Sequence, residues 1–320
     1  MPKTDVLVVS VDSTSGWRAA AGELAASFAR AGARVQSVST GQLPRVRTLM
    51  LTDYLEARAA RRAAIHGIAE YEPAAVVYCS ITAALLWPRP GAVWLDSLAA
   101  ENRPGRHGVW QRRIERRRLD RAPLVLAMSE RALPTHHPRT VLVPTPVEPS
   151  GEAGRPRDIT ALTYAGNPEK KRLDYVLEAW ARARRANETL VVAGIDHAPT
   201  APGVELAGRL PPDRYRALLR RARAFVAAPK REDYGIAPLE ALADGCQLVT
   251  TPAPGPYPAR ELARELDPRL VDEDLASAIR TALDDPLPGY PQRAQQLLQP
   301  FTRGSVDRTI ADNVLARLLP

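Results

Sequence analysis

A chain of 320 residues, 45% hydrophobic and 25% charged, is an ordinary globular mixture whose length points to two domains of roughly 150 residues or to one large one. That excludes a disordered chain, a collagen-like fibre and a small disulfide-stapled scaffold; Cys79 and Cys246 lie far apart in apolar runs, as buried thiols of a reducing cytoplasm do, and no zinc-ligand spacing occurs. The net charge of +8 is uneven, because residues 1–150 hold 20 Lys and Arg against 13 Asp and Glu, whereas the rest hold 24 against 23.

In chain order, Asp5 to Val11 reads as a strand. A turn-rich loop containing Gly16 follows, then a helix over Ala19 to Ala31 with Leu24 and Phe28 on one face, then a strand over Arg34 to Val38. Gly32 suits the left-handed residue that closes the helix. Strand, helix, strand in this span implies a right-handed parallel crossover. Leu51 to Tyr71 is a long basic helix, and strands are expected at Ala74 to Cys79, Ala92 to Leu95 and Leu124 to Met128. Gln111 to Arg121 carries six arginines. Two readings stay open there: a solvated helix with Ile114 and Leu119 turned inward, or a cationic face, Arg112 to Arg121, for a membrane or another anionic partner.

Residues 144–157 are dense in Pro and Gly, a linker signature that places a domain boundary near residue 150. The alternation then restarts. A strand at 159–165 leads through the loop GNPEKKR to an amphipathic helix carrying Leu173, Val176, Leu177 and Trp180. Strands are expected at 189–194, 204–206, 224–229 and 247–251, with helices at 212–222 and 237–243 and further helices to the end. The fold class is therefore α/β: two Rossmann-like domains facing a central cleft, with ligands at the carboxyl ends of the strands. The longest near-apolar run, Ala74 to Trp87, is too short to span a bilayer, and no basic leader precedes the first strand. The expectation is a cytoplasmic protein, at most peripheral at the inner membrane face.

The stretch Phe225 to Thr251 carries the chemistry. Pro238 suits a helix's first turn and Gly245 its end. Glu232 and Gly235 lie just ahead, in the loop leaving a strand's carboxyl end. The N–H groups of Gly235, Ile236 and Ala237 then form a helix N-terminus suited to phosphate. Acids beside such a site need a reason, and sugar hydroxyls supply one, since a carboxylate accepts two hydrogen bonds from a vicinal diol. Two glutamates eight apart are by themselves no signal. Their surroundings are: Glu232-Asp-Tyr-Gly235-Ile-Ala-Pro-Leu-Glu240-Ala-Leu-Ala-Asp-Gly245-Cys-Gln-Leu-Val resembles the E-x(7)-E signature of the retaining GT-B glycosyltransferases of family four, with Asp233, Tyr234 and Gln247 in place of the usual Gly, Phe and Pro.

Two upstream stretches extend the resemblance. YAGNPEKKRLDYVLEAW, residues 164–180, is similar to the family's glycine and lysine loop, so that Gly166 lines the donor site and Lys171 takes the place of the lysine on the donor diphosphate. The family's arginine is Asn167 here, and Lys170 or Arg172 would substitute. Gly208-Arg209-Leu210 is similar to the turn that meets the nucleotide base. The N-terminal half matches in element order alone. There Gly16 corresponds to the family's glycine loop. The family's catalytic His is absent; Asp96 is the nearest polar group, with His107 an alternative.

The resemblance implies an acceptor domain over 1–150, a nucleotide-sugar donor domain over 151–300, and a last helix, 301–320, crossing back to the first domain. It implies a retaining transfer without metal or cofactor, the nucleotide-sugar being substrate. Lys171 stabilises the leaving phosphate, Glu232 orients the donor sugar and Glu240 grips the ribose. The basic first half suggests a lipid-linked or anionic acceptor and an anionic membrane surface. The alternatives are a catalytically degenerate nucleotide-binding protein, and a basic membrane- or nucleic-acid-binding protein using Arg112 to Arg121. Aromatic residues are not interleaved with those arginines, so nucleic acid is not expected.

Overall fold

The computed structural model describes residues 3–12, 14–41, 43, 48–134, 137–151, 157–198 and 201–319. The chain divides into two compact units, Met1–Pro146 with Phe301–Pro320, and Val147–Pro300.

The first unit's strands are β1 (Thr4–Ser10), β2 (Val35–Ser39), β3 (Pro73–Cys79), β4 (Ala92–Leu95), β5 (Val125–Ala127) and β6 (Thr140–Leu142). They form a parallel sheet in the order β2-β1-β3-β4-β5-β6. Its helices are α1 (Ser15–Arg30), α2 (Leu49–Tyr71), α3 (Ile81–Ala84), α4 (Ala99–Asn102) and α5 (Val109–Arg121). The central strands are covered on both faces, which explains why β1, β3 and β4 read as near-continuous apolar runs rather than as alternating ones. Helix α1 begins at Ser15, four residues earlier than its apolar spacing suggests, because the Thr14 hydroxyl accepts from Trp17 N at 3.1 Å and caps it. Trp94, fully buried on β4, donates its indole N–H to Val143 O at 2.8 Å, so this large core side chain keeps its one donor satisfied.

The second unit's strands are β7 (Ile159–Tyr164), β8 (Leu190–Ala193), β9 (Val204–Gly208), β10 (Ala222–Ala227) and β11 (Gln247–Thr250), parallel in the order β11-β10-β7-β8-β9. Its helices are α6 (Pro168–Lys171), α7 (Leu173–Ala183), α8 (Pro212–Arg221), α9 (Ile236–Ala243), α10 (Pro258–Leu266), α11 (Leu275–Asp284) and α12 (Tyr290–Leu297). Leu173, Val176 and Trp180 of α7 are buried, as their spacing requires.

The chain ends with α13 (Arg303–Thr309), a π-helical stretch over Ile310–Leu315, and α14 (Ala316–Leu318). This segment belongs to the first unit. Arg30 of α1 grips Asp307 at 2.6 Å, Arg303 reaches Glu23 at 3.1 Å, and Val306, Ile310 and Val314 are buried. No helix among the described residues is long and apolar enough to cross a membrane.

Candidate functional site

In the second sheet the chain leaves β7 toward β8 and β9 on one side, while β10 leads to β11 on the other. Strands β7 and β10 are adjacent, so a crevice opens between their carboxyl ends at this reversal. The loop after each strand supplies the groups that line it. The loops are joined directly: Lys230 N donates to Lys170 O at 2.9 Å, and Lys230 Nζ pairs with Glu169 at 3.0 Å. Lys171 Nζ donates to Glu232 Oε2, so two of the three residues expected to be catalytic meet across the crevice.

The stretch GNPEKKR is not a loop throughout. Residues Pro168–Lys171 form helix α6, because Asn167 caps it by accepting from Lys170 N at 3.0 Å, and Pro168 occupies the first turn. Asn167 stands where the family pattern has arginine, and its side chain is engaged in this cap. Arg172 takes a left-handed backbone (φ 48°) between α6 and α7, and its guanidinium stacks over Tyr175 at 4.0 Å. Of the three cations in this stretch, Lys171 is thus held beside Glu232, Lys170 is exposed and Arg172 is turned to α7's own ring.

After β10, Gly235 has φ 83°, and a Cβ there would meet Glu232 Cγ and the Tyr257 ring at 3.0 Å. Only glycine takes that backbone without strain while lying so close to both side chains. It turns the chain into α9, whose first residues are Ile236 and Ala237. The Glu232 backbone is pinned from the far side, donating to Pro254 O at 3.0 Å, where the loop after β11 passes close enough that a Cβ on Gly255 would lie 2.1 Å from Glu232 O. Arg260, itself buried, donates to Ala253 O and holds that loop.

Glu240 lies further along α9 and faces α8. Its carboxylate is 3.5 Å from Arg216, which also pairs with Asp244 at 2.7 Å and donates to Glu148 O at 2.6 Å. Burial pushes the Glu240 carboxyl up to about 7; the Arg216 charge pulls it down and the Asp244 charge pushes it up further. Asp244 is fully buried and also accepts from Ser150 N at 2.7 Å and Ser150 Oγ at 2.9 Å.

The remaining second-unit residues expected at the donor site occupy the same sheet edge. Gly166 follows β7 and packs on the Tyr164 ring. Gly208 closes β9, accepting from Gly194 N at 2.8 Å, while the exposed Arg209 donates its N–H to Asp196 at 3.2 Å. Leu210 is half-buried ahead of α8.

The other two expected residues belong to the first unit. Gly16 lies in the first turn of α1, not in a free loop, for the capping reason given above. Asp96 directly follows β4, with the Ser97 hydroxyl at 3.4 Å and Ser97 in turn accepting from Asn102 at 2.6 Å. The His107 side chain lies outside the described residues. Ser80, which sequence reasoning passed over, directly follows β3 beside the β1–β3 reversal with φ 108° and ψ 155°, a conformation costly for any side chain. No residue-type signal marks it. Arg216 and Tyr257 were also passed over: nothing in the run RYRALLRR separates Arg216 from its neighbouring arginines. Among the described residues no cluster of His, Cys, Asp and Glu is placed to hold a metal ion.

Residues 159–285 match the family model of glycosyl transferases group 1. A search of curated protein sequences finds no match. Among solved structures, the chain is similar to WaaG, a glycosyltransferase involved in lipopolysaccharide biosynthesis, at TM-score 0.69 and 16% identity, covering 97% of this chain and 99% of that one. It is similar to Anabaena HepE, solved with UDP and glucose, at TM-score 0.68 and 13% identity, covering 98% and 100%. It is also similar to a UDP-forming trehalose-phosphate synthase from Burkholderia xenovorans, at TM-score 0.66 and 13% identity, covering 98% and 99%. The fold is therefore GT-B, two parallel-sheet α/β domains. Together with the family match to the second unit, it supports a GT-B glycosyltransferase.

Proposed function

We propose that this chain transfers a sugar from a nucleotide-sugar donor to an acceptor hydroxyl, with retention of anomeric configuration. The observation that carries the reading is the Lys171–Glu232 pair at the β7–β10 reversal, inside a segment that matches group 1 glycosyl transferases. In this reading the donor diphosphate lies between Lys171 and the N–H groups at Gly235 to Ala237, which oppose the charge that develops on the leaving group. Lys170 adds a second cation nearby. These cations take the part that a metal ion plays elsewhere, so the transfer proceeds without one. Glu232 exchanges its contact with Lys171 for the donor sugar's hydroxyls. Glu240 accepts from the ribose diol. Gly166 and the Gly208–Leu210 turn admit the base. The leaving phosphate takes the acceptor's proton, so retention needs no protein base. The first unit receives the acceptor, with Asp96, directly after β4, the polar side chain offered to it, and its basic character suits an anionic or lipid-linked acceptor.

A thermal-shift panel of UDP, GDP, ADP and dTDP on wild type and Glu240→Ala tests donor binding. A nucleotide at a hundred times its dissociation constant stabilises by about 2.7 kcal/mol, a shift of several degrees. The expected result is one nucleotide that shifts wild type and not the variant. No shift with any nucleotide would remove the donor site from the account.

A further inference from the structure

Among the described residues, five of the six exposed large apolar side chains lie on two helices of the first unit: Met50, Leu51, Tyr54 and Ile65 on α2, and Val109 on α5. The two helices are neighbours. Gln111 Nε2 of α5 donates to Asp53 of α2 at 2.5 Å. Further along, Arg61 donates to Leu86 O at 3.0 Å and Arg118 to Leu85 O at 2.9 Å. Both helices therefore flank the segment at 85–87 at similar distances from their shared start and run in one direction, with α3 packed against both.

Each helix buries one face and exposes a mixed apolar and cationic one. On α2, Asp53, Ala57, Ala60 and Ala64 point inward, while Leu51, Tyr54, Arg58, Arg62 and Ile65 follow three- and four-residue steps along the opposite face. On α5, Gln111, Glu115 and Leu119 are buried, and Val109, Arg113, Arg116 and Arg117 are exposed. Among the described residues none of these arginines pairs with a carboxylate. The Arg118 guanidinium is pulled below its ordinary range by burial and by the charges of Arg121 and Arg61, which shows how closely like charges are gathered here.

Such a gathering of unpaired cations attracts an anionic surface. The side chains between them decide which surface. Met, Leu, Ile and Val suit acyl chains at a bilayer interface, and a single exposed tyrosine makes no stacking platform for bases. We infer that the joint face of α2 and α5 docks on an anionic lipid bilayer, with its arginines over the headgroup phosphates and Leu51, Tyr54, Ile65 and Val109 in the interface. This surface lies in the first unit and involves none of the donor-side residues, so it stands or falls apart from the glycosyl-transfer reading.

The test is co-sedimentation of the full chain with vesicles of phosphatidylcholine alone or with about a third phosphatidylglycerol, at about 0.1 M salt, where charges are screened beyond roughly 10 Å. Wild type is expected on the anionic vesicles and not on the neutral ones. Replacing Arg58, Arg62, Arg113 and Arg117 together by Gln lowers the partition coefficient by about a hundredfold or more, since each arginine near an anionic leaflet contributes roughly fivefold. Leu51→Ser with Ile65→Ser lowers it by about tenfold, as lost apolar insertion would and pure charge adsorption would not. Every altered side chain is exposed, and unchanged melting temperatures verify the variants. Equal binding to neutral vesicles, full binding by either variant, or binding of a DNA duplex without vesicle binding would overturn the inference.

Discussion

Lys171→Ala is expected to lower kcat by about two to three orders of magnitude while leaving the melting temperature nearly unchanged. The lysine sits at the end of α6, and its amine meets Glu232 across the crevice between β7 and β10. The pair is partly solvated, with Lys171 27% and Glu232 15% exposed, so breaking it costs on the order of 1 kcal/mol of stability. Its weight in the reaction is much larger. The leaving diphosphate gains charge as the sugar bond breaks, and a fixed cation in a site of lowered water content stabilises that charge by about 3–4 kcal/mol. Lys171→Arg keeps the charge and recovers part of the rate. Glu232→Gln lowers kcat as well, and the double variant loses less than the product of the two single effects, because each residue positions the other. Steady-state kinetics alongside calorimetric melting separates the two roles: a loss of rate that tracks a loss of stability would make the pair merely structural.

Arg216→Met is expected to destabilise the second unit by about 3–5 kcal/mol, several degrees or more in melting temperature. Its guanidinium is the cation for Asp244, whose side chain is fully buried, and removal leaves that carboxylate with Ser150 alone. The same substitution changes the pH profile of nucleotide binding. Burial holds Glu240 at about 7, and Arg216 is the group that pulls it down. A ribose diol donates to the carboxylate, so nucleotide affinity falls as pH drops through about 7, by up to tenfold per unit. Without Arg216 that midpoint moves to higher pH, and Arg216→Lys restores it in part. The stability effect has the opposite sign. Glu240 holds its proton more tightly folded than unfolded, so stability falls as pH rises from the ordinary carboxylate range, about 4.3, through about 7. Calorimetric dissociation constants between pH 5.5 and 8.5 check the binding profile; an unshifted midpoint in Arg216→Met would show that the arginine does not act on Glu240.

How much of this was legible in the sequence depends on the kind of interaction. Apolar runs such as Val6 to Val9 and Leu190 to Ala193 announce buried strands because parallel sheets are covered on both faces. Gly235 and Gly245 frame α9 by backbone geometry, which composition reveals directly. What escaped is what depends on a partner distant in the chain. Asn167 looks like a lost phosphate contact, yet it is a helix cap. Arg216 is one arginine among several until α8 packs against α9 and gives it Glu240 and Asp244. Ser80 is an ordinary serine whose backbone angle alone marks it. The exposed residues of α2 escaped for a related reason: a long basic helix does not disclose which face its neighbours leave open.

The most direct measurement is proton NMR of the chain with each nucleotide-sugar of the base that the nucleotide panel selects, followed through slow transfer to water. The account predicts release of the nucleoside diphosphate together with a sugar whose first-formed anomer keeps the donor's configuration, and loss of that release in Glu232→Gln. Nucleotide binding with no turnover for any sugar, or turnover undiminished by Glu232→Gln, would contradict it.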